Sequence, residues 1–285
     1  MDKKVSKIQA EILVQGYHTQ HPSFHYEKPI RYCIVLWPST GGNARAFRFR
    51  ESELVDQRIC LVRYNPISHG GVIGNYDILA ALQTLKEGLV AHHLEQCPKV
   101  GIGHSGGGAA LLKFAQSIKF RQLFLLSPIL DSRMSLFYMY DNHCIDEFLS
   151  LLYPDSEQVH DPQSFQNKVE RIHSLIGTKD WLFDRDLSLL DFPIQNSRIH
   201  VHSLSIFLKN LFLPGFNVEN QLNDMTANCK IFLPNEDRWF PIAYTLKQGE
   251  LYKIPIERIE KARDHFFSNS WIEVWKKIRS DLYIS

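Results

Sequence analysis

Apolar segments of strand length alternate with helical segments in the early part of the chain, and this alternation most restricts the folds open to it. Four such segments are bounded by turn-forming residues: Ile30–Trp37, Arg58–Tyr64, Val100–Gly103 and Gln122–Leu126. After the second one, apolar residues recur every three or four positions, which is typical of a helix with one buried face. Strands that alternate with helices predict a mostly parallel sheet whose strands are joined by helical crossovers.

Two helices are predicted between these strands. The first is expected to begin at Asn75, which can serve as its N-cap, and to reach roughly Gln96. Its buried face is expected to be a stripe of Tyr76, Leu79, Leu82, Leu85 and Leu89. The second is predicted from Ala109 to Ile118.

The pattern changes after about Asp131. From there to about Ala227 the sequence is mainly helix and loop, and strand character returns only at Lys230–Leu233. A C-terminal helix is predicted to follow from Ser270. We therefore predict an α/β fold with a mostly parallel sheet flanked by helices, formed by residues 1–131 and 227–285 and interrupted by a helical cap at 132–226. A chain of 285 residues is long enough for one such domain with an insertion.

Charge, hydropathy and cysteine content argue against several functional classes. The formal net charge of +1 does not favour binding to nucleic acid or to a membrane surface. No apolar run approaches the roughly 18 residues of a transmembrane helix, and the N-terminus lacks the apolar core of a secretory signal. The five scattered cysteines include no CxxC pair, which fits reduced thiols in a cytoplasm. No metal-ligand spacing or phosphate-binding loop is present, so we expect no cofactor.

The segment Gly103-His104-Ser105-Gly106-Gly107 fits the pattern G-x-S-x-G, with a predicted strand before it and a predicted helix after it. A serine at such a turn must adopt an unfavourable backbone conformation that projects its hydroxyl above the sheet edge. The glycines remove the Cβ atoms that would collide where strand and helix meet. The start of the helix also directs N–H groups and partial positive charge at the site, which favours an oxyanion there. Ser105 is therefore predicted to be a nucleophile.

With this turn, residues 8–131 and 227–285 resemble the α/β-hydrolase superfamily, in which the turn is called the nucleophile elbow. The resemblance implies a catalytic acid after a late strand and a catalytic histidine near the C-terminus, in the order Ser, Asp or Glu, His. It also implies that the helical insert covers Ser105. An apolar group in the insert would then line an acyl pocket, or else would only form the core that holds the insert together: Phe207, Leu208, Leu211, Phe212, Leu213 and Phe216.

Asp237 best matches the acid that the resemblance implies, because it lies a few residues past the strand Lys230–Leu233 and shortly before a proline. Glu236 is a rival that a one-residue shift of the loop would substitute, and Asp131 is a third candidate after an earlier strand. His265 matches the catalytic histidine, because it lies just before the C-terminal helix. A neutral imidazole can take the serine proton and return it to the leaving group.

The resemblance also implies two N–H donors for the oxyanion. One is the backbone of Gly106, directly after the nucleophile. The other is the backbone of Thr40, in a Pro-Ser-Thr-Gly-Gly segment where relatives often have His-Gly-x-Gly-Gly. His104 is expected to point away from the chemistry, and His69 to support the site without taking part in it.

These residues predict a hydrolase that cleaves a carboxylic ester or thioester of a small molecule, with an apolar acyl part, through an acyl-enzyme on Ser105. Acyl transfer to an alcohol on the same triad is a close alternative. A ligand-binding protein that keeps the hydrolase scaffold without turnover is an alternative from a different class.

Overall fold

The fold is described from a computed structural model, which covers residues 10–72, 74, 76–144 and 229–284, with isolated positions at 147, 163, 166, 167, 170, 218 and 221–224. A seven-stranded sheet is formed by β1 (Ala10–Gly16), β2 (Tyr32–Trp37), β3 (Ile59–Pro66), β4 (Lys99–His104), β5 (Phe120–Leu126), β6 (Cys229–Pro234) and β7 (Ile256–Ile259). The strand order is β1-β3-β2-β4-β5-β6-β7, and only the β1–β3 pair among these strands is antiparallel. The predicted α/β fold with a mostly parallel sheet is confirmed.

Helices cover both faces of the sheet. In the described residues they are α1 (Glu51–Asp56), α2 (Ile78–Ala91), α3 (Gly106–Lys113), α4 (Ala115–Ile118), α5 (Ser132–Asp141), α6 (Gln221–Asp224), α7 (Ile242–Tyr252) and α8 (Trp271–Ile284), with a 3-10 turn at Ala44–Ala46. Successive residues of β2 enter two separate apolar clusters, Val35 in the one with α2 and α3, and Ile34 in the one with α1 and α8. Such burial on both faces explains why the central strands are continuous apolar runs.

The two edge strands were not predicted from the sequence. β1 is an AEILVQG segment in which most residues are only half-buried. β7 has four residues, of which only Ile259 is buried. Because one side of an edge strand has no neighbour in the sheet, its sequence lacks the continuous apolar run that identifies a central strand.

The structure corrects the start, end and buried face of α2. The helix begins at Ile78, because the carboxylate of Asp77 accepts the amide protons of Leu79 and Ala80 and caps it. It ends at Ala91, earlier than predicted. Each residue turns a helix by about 100°, and the observed orientation leaves Leu79 66% exposed. The buried face is instead formed by Ile78, Ala81, Leu85 and Leu89.

Both ends of the predicted insert contact the main apolar core. Leu136 and Met139 of α5, together with Val218 and Leu222, belong to the same apolar cluster as α2 and α3. The apolar group predicted at 207–216 lies outside the described residues, as does most of the predicted cap at 132–226. All five cysteines carry free thiols. Among the helices described above, none is both long enough and apolar enough to cross a membrane.

Close packing of α3 against the sheet predicts that Gly107→Ala destabilises the protein. A methyl group at Gly107 would overlap the backbone carbonyl oxygens of Trp37 and Pro38, which cannot move independently of β2. We expect the free energy of unfolding to fall by about 3 kcal/mol, as for other overpacked sites, measured by urea denaturation.

Gly88→Ala is the matched control, since Gly88 also lies within a helix. A methyl group there would meet only the flexible end of Ile12, and alanine favours helix over glycine by up to about 1 kcal/mol. Equal losses in the two variants would contradict the proposed rigid contact at Gly107.

Candidate active site

Ser105 lies at a sharp turn between β4 and α3. Its backbone dihedral angles are φ 55° and ψ −121°, a conformation that non-glycine residues rarely adopt. The amide of Ser105 donates to the carbonyl of Leu126 on the neighbouring strand at 2.9 Å. The helix begins at Gly106, three residues earlier than predicted, so Ser105 directly precedes its first turn. The residue is buried, with 5% of its surface exposed.

Glycines allow strand and helix to approach each other on both sides of this serine. A Cβ atom at Gly103 would lie 2.6 Å from Cα of Gly108 and 2.7 Å from the carbonyl oxygen of Gly107. Real Cβ atoms do not occur at such distances, so any side chain at Gly103 would force α3 away from β4. The turn therefore requires the glycines that the pattern contains.

Asp237 and His265 form a buried pair. Nδ1 of His265 lies 2.9 Å from Oδ2 of Asp237, and each side chain is no more than 2% exposed. The other carboxylate oxygen, Oδ1, accepts the amides of Trp239 and Phe240 at 2.8 and 2.9 Å. The ring of Phe240 packs edge-on against the imidazole at 4.5 Å between centroids. Both orientation and burial of the imidazole are thus fixed by the loop that follows β6.

The charge state of Asp237 follows from these contacts. Burial alone would raise the pKa of its carboxyl group, but the charge and hydrogen bond of His265 and the amides of Phe240 and Trp239 lower it, and the net pKa is below the ordinary value. Asp237 is therefore ionised at neutral pH and accepts the Nδ1–H proton of His265.

The two other candidate acids, Glu236 and Asp131, have different surroundings. Glu236 is exposed beside Asp237. The carboxylate of Asp131 accepts the amide of Met134 and serves as the N-cap of α5. Of the three carboxylates considered, Asp237 is the one hydrogen-bonded to His265.

The loop after β2 brings Thr40 next to the start of α3. A Cβ atom at Gly106 would overlap Oγ1 of Thr40 and lie 3.5 Å from its backbone nitrogen. The two amides that the sequence suggested as oxyanion donors are therefore neighbours. The loop itself is closed by a hydrogen bond from the amide of Gly42 to the carbonyl of Ser39 at 2.7 Å.

Polar residues of β3 hold the continuation of this loop, and the sequence interpretation missed them. Asn65 lies within β3, beyond the predicted end of this strand at Tyr64; it is buried and accepts the amide of Ala44 at 2.8 Å. Arg63 donates to the carbonyls of Ala44 and Phe47 at 2.5 and 2.6 Å. Polar side chains inside an otherwise apolar strand were the signal that could have identified these supports.

Two further histidines are buried and neutral. Burial, with the nearby charge of His265 in addition, lowers the pKa of His104 to about 3, and burial lowers the pKa of His69 to about 4. Nδ1 of His69 lies 3.0 Å from the carbonyl oxygen of Ile67 and must donate, because a carbonyl only accepts. Neither imidazole carries charge at neutral pH.

The buried His69 predicts loss of stability in mild acid. In the unfolded chain a histidine binds a proton near pH 6.5, whereas folded His69 stays unprotonated down to about pH 4. The unfolded state binds more protons below pH 6.5, so His69 makes the free energy of unfolding fall as pH decreases, by up to about 1.4 kcal/mol per pH unit.

Urea denaturation at pH 7 and pH 5 tests this expectation. His69→Gln should lose less stability than the wild type over this interval, while the exposed control His25→Gln should follow the wild type. Parallel losses in all three proteins would contradict the assignment of a buried, neutral His69.

Solved structures share the fold at low sequence identity. A carboxylesterase structure from Nitrososphaera gargenis is 14% identical, covers 96% of this chain and 94% of its own, and has a TM-score of 0.56. The enol-lactonase of Burkholderia xenovorans LB400 is 10% identical, with coverages of 97% and 96% and a TM-score of 0.59. A thermophilic esterase from Thermogutta terrifontis is 14% identical, with coverages of 96% and 93% and a TM-score of 0.59.

No family model and no curated protein matches the sequence. Three observations identify the fold. They are the strand order with its antiparallel first strand, the serine turn between β4 and α3, and the similar solved structures. This chain has the α/β-hydrolase fold.

Proposed function

We propose that the protein is a serine hydrolase that cleaves a carboxylic ester or thioester of a small molecule, with Ser105 as nucleophile, His265 as base and Asp237 as acid. The observation that carries the proposal is the buried hydrogen bond between Asp237 and His265 at 2.9 Å, in a loop that contacts the residue directly before Ser105. An imidazole held by a buried carboxylate is the arrangement that general-base activation of a serine requires.

In the first half of the reaction the hydroxyl oxygen of Ser105 attacks the substrate carbonyl carbon and its proton passes to Nε2 of His265. Asp237 accepts the Nδ1–H bond throughout and stabilises the imidazolium that forms. The carbonyl oxygen becomes an oxyanion between the backbone amides of Gly106 and Thr40, each of which would contribute about 2.7–4 kcal/mol of transition-state stabilisation.

In the second half the intermediate collapses and the C–O or C–S bond to the leaving group breaks. The leaving group takes the proton from His265, and an acyl group remains on Ser105. A water molecule then attacks this acyl-enzyme while His265 takes its proton, and the carboxylic acid is released with the proton returned to Ser105.

Neighbouring charges favour this use of His265. His104 and His69 remain neutral at neutral pH because their pKa values are about 3 and 4. They therefore add no positive charge that would oppose protonation of His265 during the reaction. The negative charge of Asp237 acts on the imidazole without competition from a nearby cation among these histidines.

Two observations support acyl transfer from an ester or thioester. The similar structures named above are a carboxylesterase, an enol-lactonase and an esterase. The chain also offers paired amides at Gly106 and Thr40, which suit the oxyanion of acyl transfer. We further propose that residues 132–226 form a cap over Ser105, with the apolar group at 207–216 as the acyl pocket.

A fluorophosphonate probe tests the nucleophile. We expect a single covalent adduct per chain by intact-mass measurement and none in Ser105→Ala, together with hydrolysis of short nitrophenyl esters that the same substitution abolishes. Ser135→Ala is the matched control, since Ser135 is equally buried but its hydroxyl donates to the carbonyl of Asp131. A folded wild-type protein that forms no adduct would favour a ligand-binding protein without turnover.

Paired substitutions test the acid. Asp237→Asn keeps the size of the side chain but leaves His265 in the wrong tautomer, so we expect kcat to fall by about 10⁴-fold. Glu236→Gln, in the adjacent exposed residue, should leave kcat within about twofold of the wild type. Ester hydrolysis that survives Asp237→Asn and is lost in Glu236→Gln would assign the acid to Glu236.

A further inference from the structure

His104 directly precedes the proposed nucleophile, and its side chain is hydrogen-bonded to the loop that contains His265. It ends β4, and its side chain is buried. Its Nε2 atom lies 2.9 Å from the backbone carbonyl oxygen of His265, 161 residues away in sequence. A carbonyl oxygen only accepts, so Nε2 must carry the proton and donate it. This bond connects the strand that carries Ser105 directly to the residue proposed as its base.

The imidazole of His104 is surrounded by rings from the loop that contains His265 and from the segment that follows the Thr40 loop. Its centroid lies 4.9 Å from the ring of His265, 5.9 Å from Phe266 and 6.1 Å from Phe267. It also lies 6.1 Å from Phe47, which follows the Thr40 loop. These contacts leave the ring little freedom to turn, so the donor at Nε2 has a fixed direction.

His265 is thereby held at two points. Asp237 fixes Nδ1 of the side chain, and His104 fixes the backbone carbonyl, each at 2.9 Å. A single bond at Nδ1 would still allow the imidazole to shift with its loop. Two anchors on the same residue fix the position of Nε2, the atom that must receive the proton of Ser105.

We propose that His104 is a positioning residue for the proposed reaction, which holds the backbone of His265 through a neutral Nε2–H donor so that the imidazole faces Ser105. The proposal rests on the proposed function of His265 as base. A lysine or arginine would donate as well, but a cation this close would oppose protonation of His265. Because the pKa of His104 is about 3, its ring donates without charge.

Two substitutions separate donation from packing. In His104→Gln the amide nitrogen reaches about as far as Nε2 and can donate to the same carbonyl. In His104→Phe an aromatic ring is kept and the donor is lost. Thermal unfolding should show that both variants fold.

We expect His104→Phe to lower kcat for ester hydrolysis by about 10²-fold, the effect of a displacement of about 1 Å, with KM within twofold of the wild type. His104→Gln should keep kcat within about fivefold. Wild-type kcat in His104→Phe, or equal losses in both variants, would overturn the proposal, since packing alone would then account for the residue.

Proton NMR of the imidazoles gives a readout that does not need turnover. The wild type should show a protonated Nε2 on His104 and a sharp downfield Nδ1 proton on His265, and His104→Phe should broaden or lose the latter. An unchanged His265 proton in His104→Phe would overturn the proposal, even if the protein hydrolyses esters. Failure of Ser105 to react with the fluorophosphonate would instead overturn the proposed function, while this signal would still test the anchor.

Discussion

The site depends on how closely α3 can approach the carboxyl ends of β2 and β4. Trp37 and Pro38 present their carbonyl oxygens to Gly107, at a place where any side chain would overlap them. Only this approach allows the helix to begin at Gly106, immediately after a serine held at φ 55°. The same approach brings the start of the helix against the Thr40 loop. A backbone constraint of a few atoms thus determines where the proposed nucleophile and both proposed oxyanion donors lie.

Parallel strands bring the remaining groups to the same edge. Ser105 follows β4 and Asp237 follows β6, and the carboxyl ends of parallel strands lie at one edge of a sheet. His265 comes from the loop after β7, 28 residues beyond Asp237, and the two side chains meet at 2.9 Å. The order of the strands in the sheet is therefore sufficient to bring these three residues together, although they are far apart in sequence.

The sequence predicted best what depends on continuous burial. β2 to β6 are paired on both sides, and their apolar runs predicted both ends of each strand to within two residues. The edge strands β1 and β7 are half-exposed and gave no such signal. The start of α2 was placed two residues early, because the choice between Asn75 and Asp77 as cap depends on which side chain reaches the free amides. The supports of the Thr40 loop could not be predicted, since Asn65 and Arg63 hold it through backbone atoms of Ala44 and Phe47, which lie 16 to 21 residues away in sequence.

Histidines show most clearly what a sequence does not contain. The chain has thirteen; His69, His104 and His265 are all buried, yet they differ in the atom that each imidazole faces. His265 faces the carboxylate of Asp237, whereas His104 and His69 face carbonyl oxygens and are neutral. Burial lowers the pKa of His104 and of His69, and the bond to a carbonyl oxygen offsets only part of this effect. The proposed base is therefore distinguished from these two histidines by its carboxylate partner, which the loop after β6 supplies, rather than by any feature of the histidine itself.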